Sequence, residues 1–218
     1  MAHRDWGVRE YSEALAEMRS LRAARRRGDI PDTLILVEHP PVITVGVQGD
    51  DLASLPAELP VHHVERGGHS TYHGPGQLVG YPIVDLDARG RDVRRFVGEL
   101  EQLLVEALGT VGVPAGTVGG QRGVWVDGQR KIASIGIAIE EWVSFHGFAL
   151  NVDVELGTFA RFRPCGLDGR QMTSVARELG RAVHTAELGP PVRASFDRRF
   201  GALPAPPASP RGSGLATA

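Results

Sequence analysis

An Asp-Gly pair between two β-rich runs is the feature that most restricts the fold of this chain. Asp127-Gly128 separates GVWV (123–126) from KIASIGIAI, which begins at Lys131. Asp-Gly in this setting is a strong short-range signal for a β-hairpin, because both residues tolerate the positive φ of a tight turn. The sequence therefore predicts an antiparallel pair of strands, with Lys131 just after the turn.

Other runs predict further strands and four helices. The β-rich runs are TLILVEH (33–39) and VITV (42–45), expected to form two strands of one sheet, then VHHVE (61–65), LVGYPIVDL (78–86) and WVSFHGFALNV (142–152). Apolar residues at helical spacing predict a helix with Ser12 as N-cap and Gly28 as stop, and a second helix over 92–109. Shorter helices are expected near 173–180 and 192–201. Strands and helices do not alternate strictly, so the predicted class is α+β.

Size and composition indicate one folded domain. The chain has 218 residues, of which 42% are hydrophobic, enough for a substantial core. We expect this domain to span 1–202, and the Pro-, Ala-, Ser- and Gly-rich residues 203–218 to form a disordered tail. A net charge of −2 does not indicate a protein that binds nucleic acid. The sequence has neither a signal-peptide core nor a run long enough to span a membrane, so we expect a cytoplasmic protein.

The segment RGGHSTYHGPGQ (66–77) is rich in glycine and predicts a loop that lines a ligand, with free backbone amides. A plain tight turn with bulges is the alternative. The segment contains neither a dinucleotide fingerprint nor a P-loop. His69 and His73 are four residues apart, but Gly74-Pro75-Gly76 makes a helix implausible, so no metal site is expected. His146 is either a core histidine or a pocket donor.

The scarcity of two residue types suggests a catalytic pair. Of 24 Lys plus Arg residues only Lys131 is a lysine, and Cys165 is the one cysteine. Lysine can lose its proton and act as a base, whereas arginine stays charged. An ammonium about 4 Å from a thiol contributes roughly 4 kcal/mol at an effective dielectric of about 20, enough to favour the nucleophilic thiolate. Compositional bias toward arginine and a buried, inert cysteine are the alternatives. One cysteine excludes an intrachain disulfide and a thiolate zinc site.

Several blocks, taken in order, resemble the lipoyl/octanoyl transferases. They are RGGHSTYHGPGQLVGYPIVDL (66–86), GVWV (123–126), KIASIGI (131–137), FHGFALNV (145–152) and PCGL (164–167). Enzymes of this family move an octanoyl group from acyl carrier protein to a lipoyl domain, the first step of endogenous protein lipoylation. The resemblance implies the fold of the biotin/lipoate protein ligase catalytic domain, a mixed sheet with packed helices, which agrees with the α+β prediction.

The resemblance also implies roles for particular residues. Cys165 would be the acyl-thioester nucleophile, and Lys131 would lower the pKa of its thiol. Three stretches would form the substrate pocket: Arg66, Gly67, Gly68, His69, Ser70, Thr71, Tyr72 and His73; Ser134, Ile135 and Gly136; and Gly147, Phe148 and Ala149. Gly136 and Gly147 are expected to leave room for an eight-carbon chain.

The implied donor is octanoyl-acyl carrier protein. The implied acceptors are the lipoyl domains of 2-oxoacid dehydrogenases and the glycine cleavage H protein. No cofactor or metal is expected, and the protein is expected to be a monomer. Arg161 and Arg163 are expected to attract the acidic carrier, ahead of the arginines at 22 and 25–27, which fit a solvated helix face.

Three other functions share parts of this pattern. An ATP-dependent lipoate–protein ligase has the same fold and a lysine but forms an adenylate, and its chemistry does not use a thiol. A non-catalytic module that binds lipoyl domains or acyl carriers would not need both Lys131 and Cys165. A thioesterase could use the same pair, with water in place of the amine.

Overall fold

The computed structural model describes residues 1–50, 52, 55–162 and 169–201. Cys165, Arg163 and the tail at 203–218 lie outside the described residues, as does residue 202 at the end of the predicted domain. The strands within the described ranges are β1 (Ala2–Val8), β2 (Thr33–Glu38), β3 (Val42–Val45), β4 (Val61–His63), β5 (Ser70–His73), β6 (Gln77–Ile83), β7 (Gly116–Val118), β8 (Gln121–Val126), β9 (Arg130–Glu140) and β10 (Val143–Asn151). The α-helices are α1 (Tyr11–Arg27), α2 (Val93–Thr110), α3 (Val175–Leu179) and α4 (Thr185–Phe200).

A seven-stranded mixed sheet forms the centre of the fold, in the order β1-β2-β6-β10-β9-β8-β7. The β1–β2 pair is parallel, and the other pairs in this sheet are antiparallel. The Asp-Gly hairpin between β8 and β9 is confirmed, since Asp127 and Gly128 have φ values of 51° and 66°. As predicted, Lys131 follows the turn directly.

Helices cover both faces of this sheet, which explains why its central strands have few polar residues. In β2, Leu34 and Leu36 face the core beneath α2 and α4, whereas Ile35 and Val37 face the core beneath α1. Successive strand residues point to opposite faces, so a strand covered on both sides is apolar throughout. The result is an α+β domain with two separate layers of core.

A smaller sheet, ordered β4-β3-β5, corrects two expectations. The strands β2 and β3 lie in different sheets, because Pro40-Pro41 interrupts the ladder between them. Ser70–His73 is a strand antiparallel to β3 rather than part of a loop. The glycines flank this stretch, and Thr71 and Tyr72 favour extended structure.

The edge strands of the large sheet, β1 and β7, were not predicted. Residues in β1 alternate between half-buried and exposed positions, and its sequence contains several charged residues. Edge strands commonly carry such residues, which remove the apolar run that identifies a central strand.

The helix boundaries differ from the predictions mainly at their N-termini. The N-cap of α1 is Glu10 rather than Ser12, while Gly28 ends the helix in the left-handed conformation as expected. Helix α2 begins after Asp92, whose side chain accepts from the Arg95 amide. Helix α4 begins at Thr185, well before 192, because His184 and Glu187 form a reciprocal capping box ahead of the internal prolines. No helix in the described ranges is long and apolar enough to cross a membrane.

Candidate active site

The candidate site lies where β9 loses its neighbour β8. The β8–β9 pairing extends from Val126↔Arg130 to Val124↔Ala133 and no further. Beyond Ala133, the free edge of β9 is reached by the loop between β4 and β5, whose Gly67 N–H donates to the Ile137 carbonyl at 2.9 Å. The glycine-rich loop and β9 therefore form one wall.

Lys131 lies on β9 just before this free edge, opposite Trp125 of β8, and is 4% exposed. The register shift between Val124 and Trp125 places one extra residue, Ile132, on β9, and such a bulge redirects the side chains beside it. Lys131 Nζ lies 5.4 Å from the centroid of the Trp125 ring, within range of a cation–π contact. Within the described ranges no carboxylate forms an ion pair with Lys131.

Gly123 makes room for this lysine. A Cβ at position 123 would lie 2.7 Å from Lys131 Cε, and the backbone φ there is +108°. Any other residue would be strained and would also displace the lysine side chain. The glycine thus determines the path of the Lys131 side chain across β8.

Two adjoining chambers open beside β9 and share Arg66, Ile135 and Gly136. The outer chamber, about 540 Å³, contains Lys131. The predicted pocket residues that line the outer chamber are Arg66, Gly67, Gly68, His69, Ile135 and Gly136. Those that line the inner chamber are Arg66, Thr71, His73, Ser134, Ile135, Gly136, Gly147, Phe148 and Ala149. Residues distant in sequence therefore meet around two neighbouring chambers, of which the inner one, about 30 Å³, is much the smaller.

Two of the predicted pocket residues point elsewhere. Thr71 and His73 face the inner chamber, whereas Ser70 and Tyr72 occupy the alternate positions of β5. The Tyr72 ring packs edge-on against Phe159, at 5.5 Å between centroids, in the small-sheet core. Because this stretch is a strand, alternate residues face opposite sides.

Gly136 and Gly147 face each other across β9 and β10, but they do not leave open gaps. A Cβ at Gly147 would lie 2.1 Å from the Gly80 carbonyl oxygen, and one at Gly136 would lie 3.1 Å from Arg66 Cδ. Backbone and the Arg66 side chain already fill these positions. The expectation of side-chain-sized spaces is therefore wrong, and the glycines instead allow close packing.

Arg66 joins the small sheet to the pocket. Its Nη2 donates to the Thr44 carbonyl at 2.7 Å and to Thr44 Oγ1 at 2.8 Å, and its Nη1 donates to the Gly67 carbonyl at 3.1 Å. The residue is 7% exposed. These bonds fix a buried positive charge beside both chambers.

Two neutral imidazoles line the inner chamber. Burial lowers the pKa of His73 to about 3 and that of His146 to about 4. His146 is 2% exposed; its Nε2 lies 3.3 Å from Glu65 Oε2. The open question about His146 is answered, since it is both buried and a pocket residue. At neutral pH both rings therefore offer hydrogen bonds without charge.

The inner chamber ends on residues that the sequence did not single out. Tyr11 and Tyr81 lie there, and the Tyr11 ring stacks on His73 at 6.0 Å. Burial raises the pKa of both tyrosines. The Tyr11 hydroxyl is buried with no hydrogen-bond partner among the described residues. Tyr81 lies within a predicted strand and Tyr11 immediately before a predicted helix, so neither position gave a functional signal.

The ends of the segment that carries Cys165 are described although the cysteine is not. A Cβ at Gly169 would lie 1.8 Å from the Phe159 carbonyl oxygen, so the chain returns to the short helix Leu156–Arg161. Met172 then lies opposite Lys131 in a parallel bridge, and the Thr173 N–H donates to the Lys131 carbonyl at 3.0 Å. The chain that follows Cys165 therefore meets the strand of Lys131.

Arg161, expected to attract the carrier, and two of the arginines expected on a solvated helix face form local ion pairs. Arg161 Nη1 lies 2.5 Å from Glu58 Oε1, so its charge is balanced nearby. Arg22 pairs with Glu140 and Glu141, and Arg25 pairs with Asp32 and Asp85. The side chains of Arg22 and Arg25 are 13% and 19% exposed, whereas Arg26 and Arg27 are exposed, so only part of this helix face is solvated. The described ranges contain no cluster of three His, Cys, Asp or Glu residues able to hold a metal ion.

Solved structures identify the class of fold. The chain superposes on a bi-partite lipoate protein ligase from Thermoplasma acidophilum with a TM-score of 0.66 and 15% identity, covering 94% of this chain and 86% of that chain. It superposes on the biotin protein ligase of Aquifex aeolicus in complex with biotin and ATP with a TM-score of 0.53 and 10% identity, covering 92% and 70%. The predicted fold, that of the biotin/lipoate ligase catalytic domain, is confirmed.

Sequence relatives narrow the class to a family. The lipoyl protein ligase A/B catalytic domain matches residues 10–197. The octanoyltransferase of Geobacter sulfurreducens is 47% identical over 194 residues, which cover 88% of this chain and 81% of that protein. The chain therefore belongs to the lipoyl protein ligase A/B catalytic domain family, in its octanoyltransferase branch.

Proposed function

We propose that this protein is an acyltransferase that moves an octanoyl group from acyl carrier protein to the acceptor lysine of a lipoyl domain, through an acyl thioester on Cys165. The observation that carries the proposal is the position of Lys131. It is the one lysine of the chain, it is buried, and it lines a chamber of about 540 Å³ beside the glycine-rich loop. The 47% identity to an octanoyltransferase supports the same acyl group.

In the first half-reaction the Cys165 thiolate attacks the carbonyl carbon of the octanoyl thioester. The bond between the acyl carbon and the carrier sulfur breaks as the new acyl–Sγ bond forms. The Lys131 ammonium favours the thiolate before attack and gives its proton to the departing carrier thiolate. The products are octanoyl-Cys165, a neutral Lys131 amine and the free carrier thiol.

In the second half-reaction the amine of the acceptor lysine attacks octanoyl-Cys165. Lys131, now neutral, takes a proton from the attacking nitrogen, and the acyl–Sγ bond breaks. An amide forms, and the Cys165 thiolate and Lys131 ammonium are restored. Because an amide is more stable than a thioester, this step drives the transfer forward. The thioester is already activated, so the reaction needs no ATP.

The pocket suits an acyl chain held beside this pair. The outer chamber, about 540 Å³, has room for an acyl chain, and Val93, Val97 and Ile135 make part of its lining apolar. The inner chamber, about 30 Å³, is too small for such a chain, although Phe148 and Ala149 give it an apolar surface. The expected donors and acceptors are octanoyl-acyl carrier protein and the lipoyl domains of 2-oxoacid dehydrogenases and the glycine cleavage H protein. A reduced thiol suits the cytoplasm, and we propose that the protein acts there as a monomer.

Intact mass after mixing with octanoyl-acyl carrier protein tests the proposal. The wild-type chain should gain one octanoyl group without ATP and lose it when a lipoyl domain is added, which then carries the octanoyl group. Cys165→Ser should form no adduct, because a hydroxyl is not ionised by a neighbouring ammonium.

Other outcomes identify the alternative functions. Transfer that requires ATP and free octanoate would indicate a ligase, and release of free octanoate instead of transfer would indicate a thioesterase. Transfer by Cys165→Ser at the wild-type rate would show that the cysteine is not the nucleophile.

A further inference from the structure

A chain of buried side-chain amides joins the inner chamber to the backbone of Lys131. Its members are Gln77 at the start of β6 and Asn151 at the end of β10, here called the amide relay; each is 1% exposed. Gln77 Oε1 lies 2.7 Å from His73 Nδ1, and Gln77 Nε2 donates to Asn151 Oδ1 at 2.9 Å. Asn151 Nδ2 then donates to the Thr173 carbonyl at 3.0 Å.

The direction of every bond in the amide relay is fixed. Carbonyl groups only accept, so Asn151 must direct its amino group toward the Thr173 carbonyl. Gln77 Nε2 also donates to the Tyr72 carbonyl at 3.2 Å, which leaves Gln77 Oε1 as the acceptor for His73 Nδ1–H. Rotating either amide by 180° would place acceptors against acceptors. The relay therefore has one arrangement, which also sets the tautomer of His73.

The far end of the amide relay determines what lies beside Lys131. Strand β10 ends at Asn151, and its last pairing with β9 is Leu150↔Ala133. Past that point Met172 and Thr173 take up the position beside β9, through the bond from the Thr173 N–H to the Lys131 carbonyl. Asn151 thus holds Thr173 from one side while Lys131 holds it from the other.

We propose that Gln77 and Asn151 are positioning residues, which fix the Lys131 backbone and the described chain after Cys165, residues 169–173, relative to each other and to the pocket. This inference rests on the proposed function, in which Lys131 and Cys165 react as a pair. A small displacement of one partner would weaken both the stabilisation of the thiolate and the later proton transfer.

The isosteric change Asn151→Asp tests this inference with little change in volume. It replaces the donor toward the Thr173 carbonyl with an acceptor, and so reverses one bond of the amide relay. The chain has one lysine and one cysteine. Lysine labelled with ¹³C therefore gives a single side-chain NMR signal, and the rate of alkylation by iodoacetamide against pH reports Cys165 alone.

We expect Asn151→Asp to shift the Lys131 signal and to move the midpoint of the alkylation profile to higher pH. The kcat for octanoyl transfer should fall on the order of 10²-fold, as for a misplaced catalytic group. The KM for a small octanoyl thioester should stay within about threefold, because the variant leaves the pocket lining in place. Asn151→Ala, which removes the amide without adding a charge, should give the same pattern if the Asp variant does not fold.

Ser144→Ala is the matched control. Ser144 lies on the same strand, β10, is 0% exposed, and donates to the Pro82 carbonyl at 2.7 Å. This variant loses that bond and the one that Ser144 Oγ accepts from the Val84 N–H at 3.0 Å. It should lose stability but keep the wild-type Lys131 signal and alkylation profile. The inference is overturned if the Asn151 variants lose stability as Ser144→Ala does and keep the wild-type signal, profile and kcat. Failure of the proposed function would look different, because the wild-type protein itself would then form no octanoyl adduct.

Discussion

At the scale of single residues, Lys131 and Gly123 act together. The lysine side chain passes Gly123 of β8, where a Cβ would lie 2.7 Å from its Cε. Its ammonium lies near the Trp125 ring, and the described residues supply no carboxylate partner. A thiolate brought near this ammonium would be stabilised by its charge.

Lys131→Arg separates the charge of this residue from its role as a base. Arginine keeps the charge but cannot give up its proton, so acylation of Cys165 should be partly retained relative to Lys131→Ala. Transfer to the lipoyl domain should fall by about 10²–10⁴-fold in both variants, as expected when a general base is lost. Intact mass of the protein measures the first half-reaction, and intact mass of the lipoyl domain measures the second. Wild-type transfer by Lys131→Arg would show that only charge is needed.

At the scale of elements, glycine sets how closely β10 approaches β6. A Cβ at Gly147 would lie 2.1 Å from the Gly80 carbonyl oxygen and 2.5 Å from Pro82 Cδ. Both neighbours belong to a strand in the middle of the sheet, so neither can move without disturbing the pairing. The phenyl ring of Phe148 in turn lies over Gly80, where a Cβ would be 2.1 Å from Cζ. Glycine on each of the two strands therefore allows β6 and β10 to pack closely, because neither position carries a Cβ.

Gly147→Ala should lower the free energy of unfolding by about 1–3 kcal/mol or more, as for overpacked cores. Gly98→Ala is the matched control, since Gly98 lies inside α2 and a Cβ there meets nothing within 4 Å. That change should instead stabilise the protein by about 0.5–1 kcal/mol, because alanine favours the helix. Denaturant unfolding of both variants measures the difference. Equal stability of Gly147→Ala and wild type would contradict the close approach of the two strands.

At the scale of the whole molecule, buried histidines connect the helix, the two sheets and the pocket. The His39 Nδ1–H donates to the Arg9 carbonyl at 2.7 Å, so Nε2 accepts from the Tyr81 hydroxyl, also at 2.7 Å. Burial lowers the pKa of His39 to about 4. Its ring lies 5.2 Å from Tyr11 and 5.8 Å from His73. The folded state therefore holds these buried histidines in their neutral form.

Stability should therefore decrease in mildly acidic solution. The unfolded chain binds protons near pH 6.5, whereas His39 and His146 bind them near pH 4 in the folded state. Between these values the unfolded state binds more protons than the folded state. The free energy of unfolding therefore has its full value above about pH 6.5 and decreases as the pH falls toward 4. One such group accounts for about 3 kcal/mol over this range.

Thermal unfolding between pH 4 and 7.5 measures this dependence, with His39→Asn expected to show a smaller loss of Tm than wild type. The exposed His63 on β4 offers the matched control, because His63→Asn should keep the wild-type slope. A wild-type slope in His39→Asn would show that His39 does not contribute to the pH dependence.

The sequence predicted most of the elements, and the reasons are local. The Asp127-Gly128 turn, the helix stop at Gly28 and the apolar stripe of α2 depend on residues within one or two turns of each other. The family blocks likewise identified the loop at 66–69 and the stretches around Ile135 and Phe148, which meet at the two chambers. The roles proposed for Cys165 and Lys131 came from the same resemblance.

The sequence by itself thus determined most of the elements, the α+β class and the residues that the family blocks share. Only the tertiary structure decided that β2 and β3 lie in different sheets, that Gly67 pairs with the free edge of β9, and that Arg66 and backbone fill the spaces at Gly136 and Gly147. It also placed the amide relay between His73 and Thr173. The physical reason is range: local preference fixes a turn or a helix, whereas strand partners and buried hydrogen bonds join residues far apart in sequence, whose proximity exists only once the chain has folded.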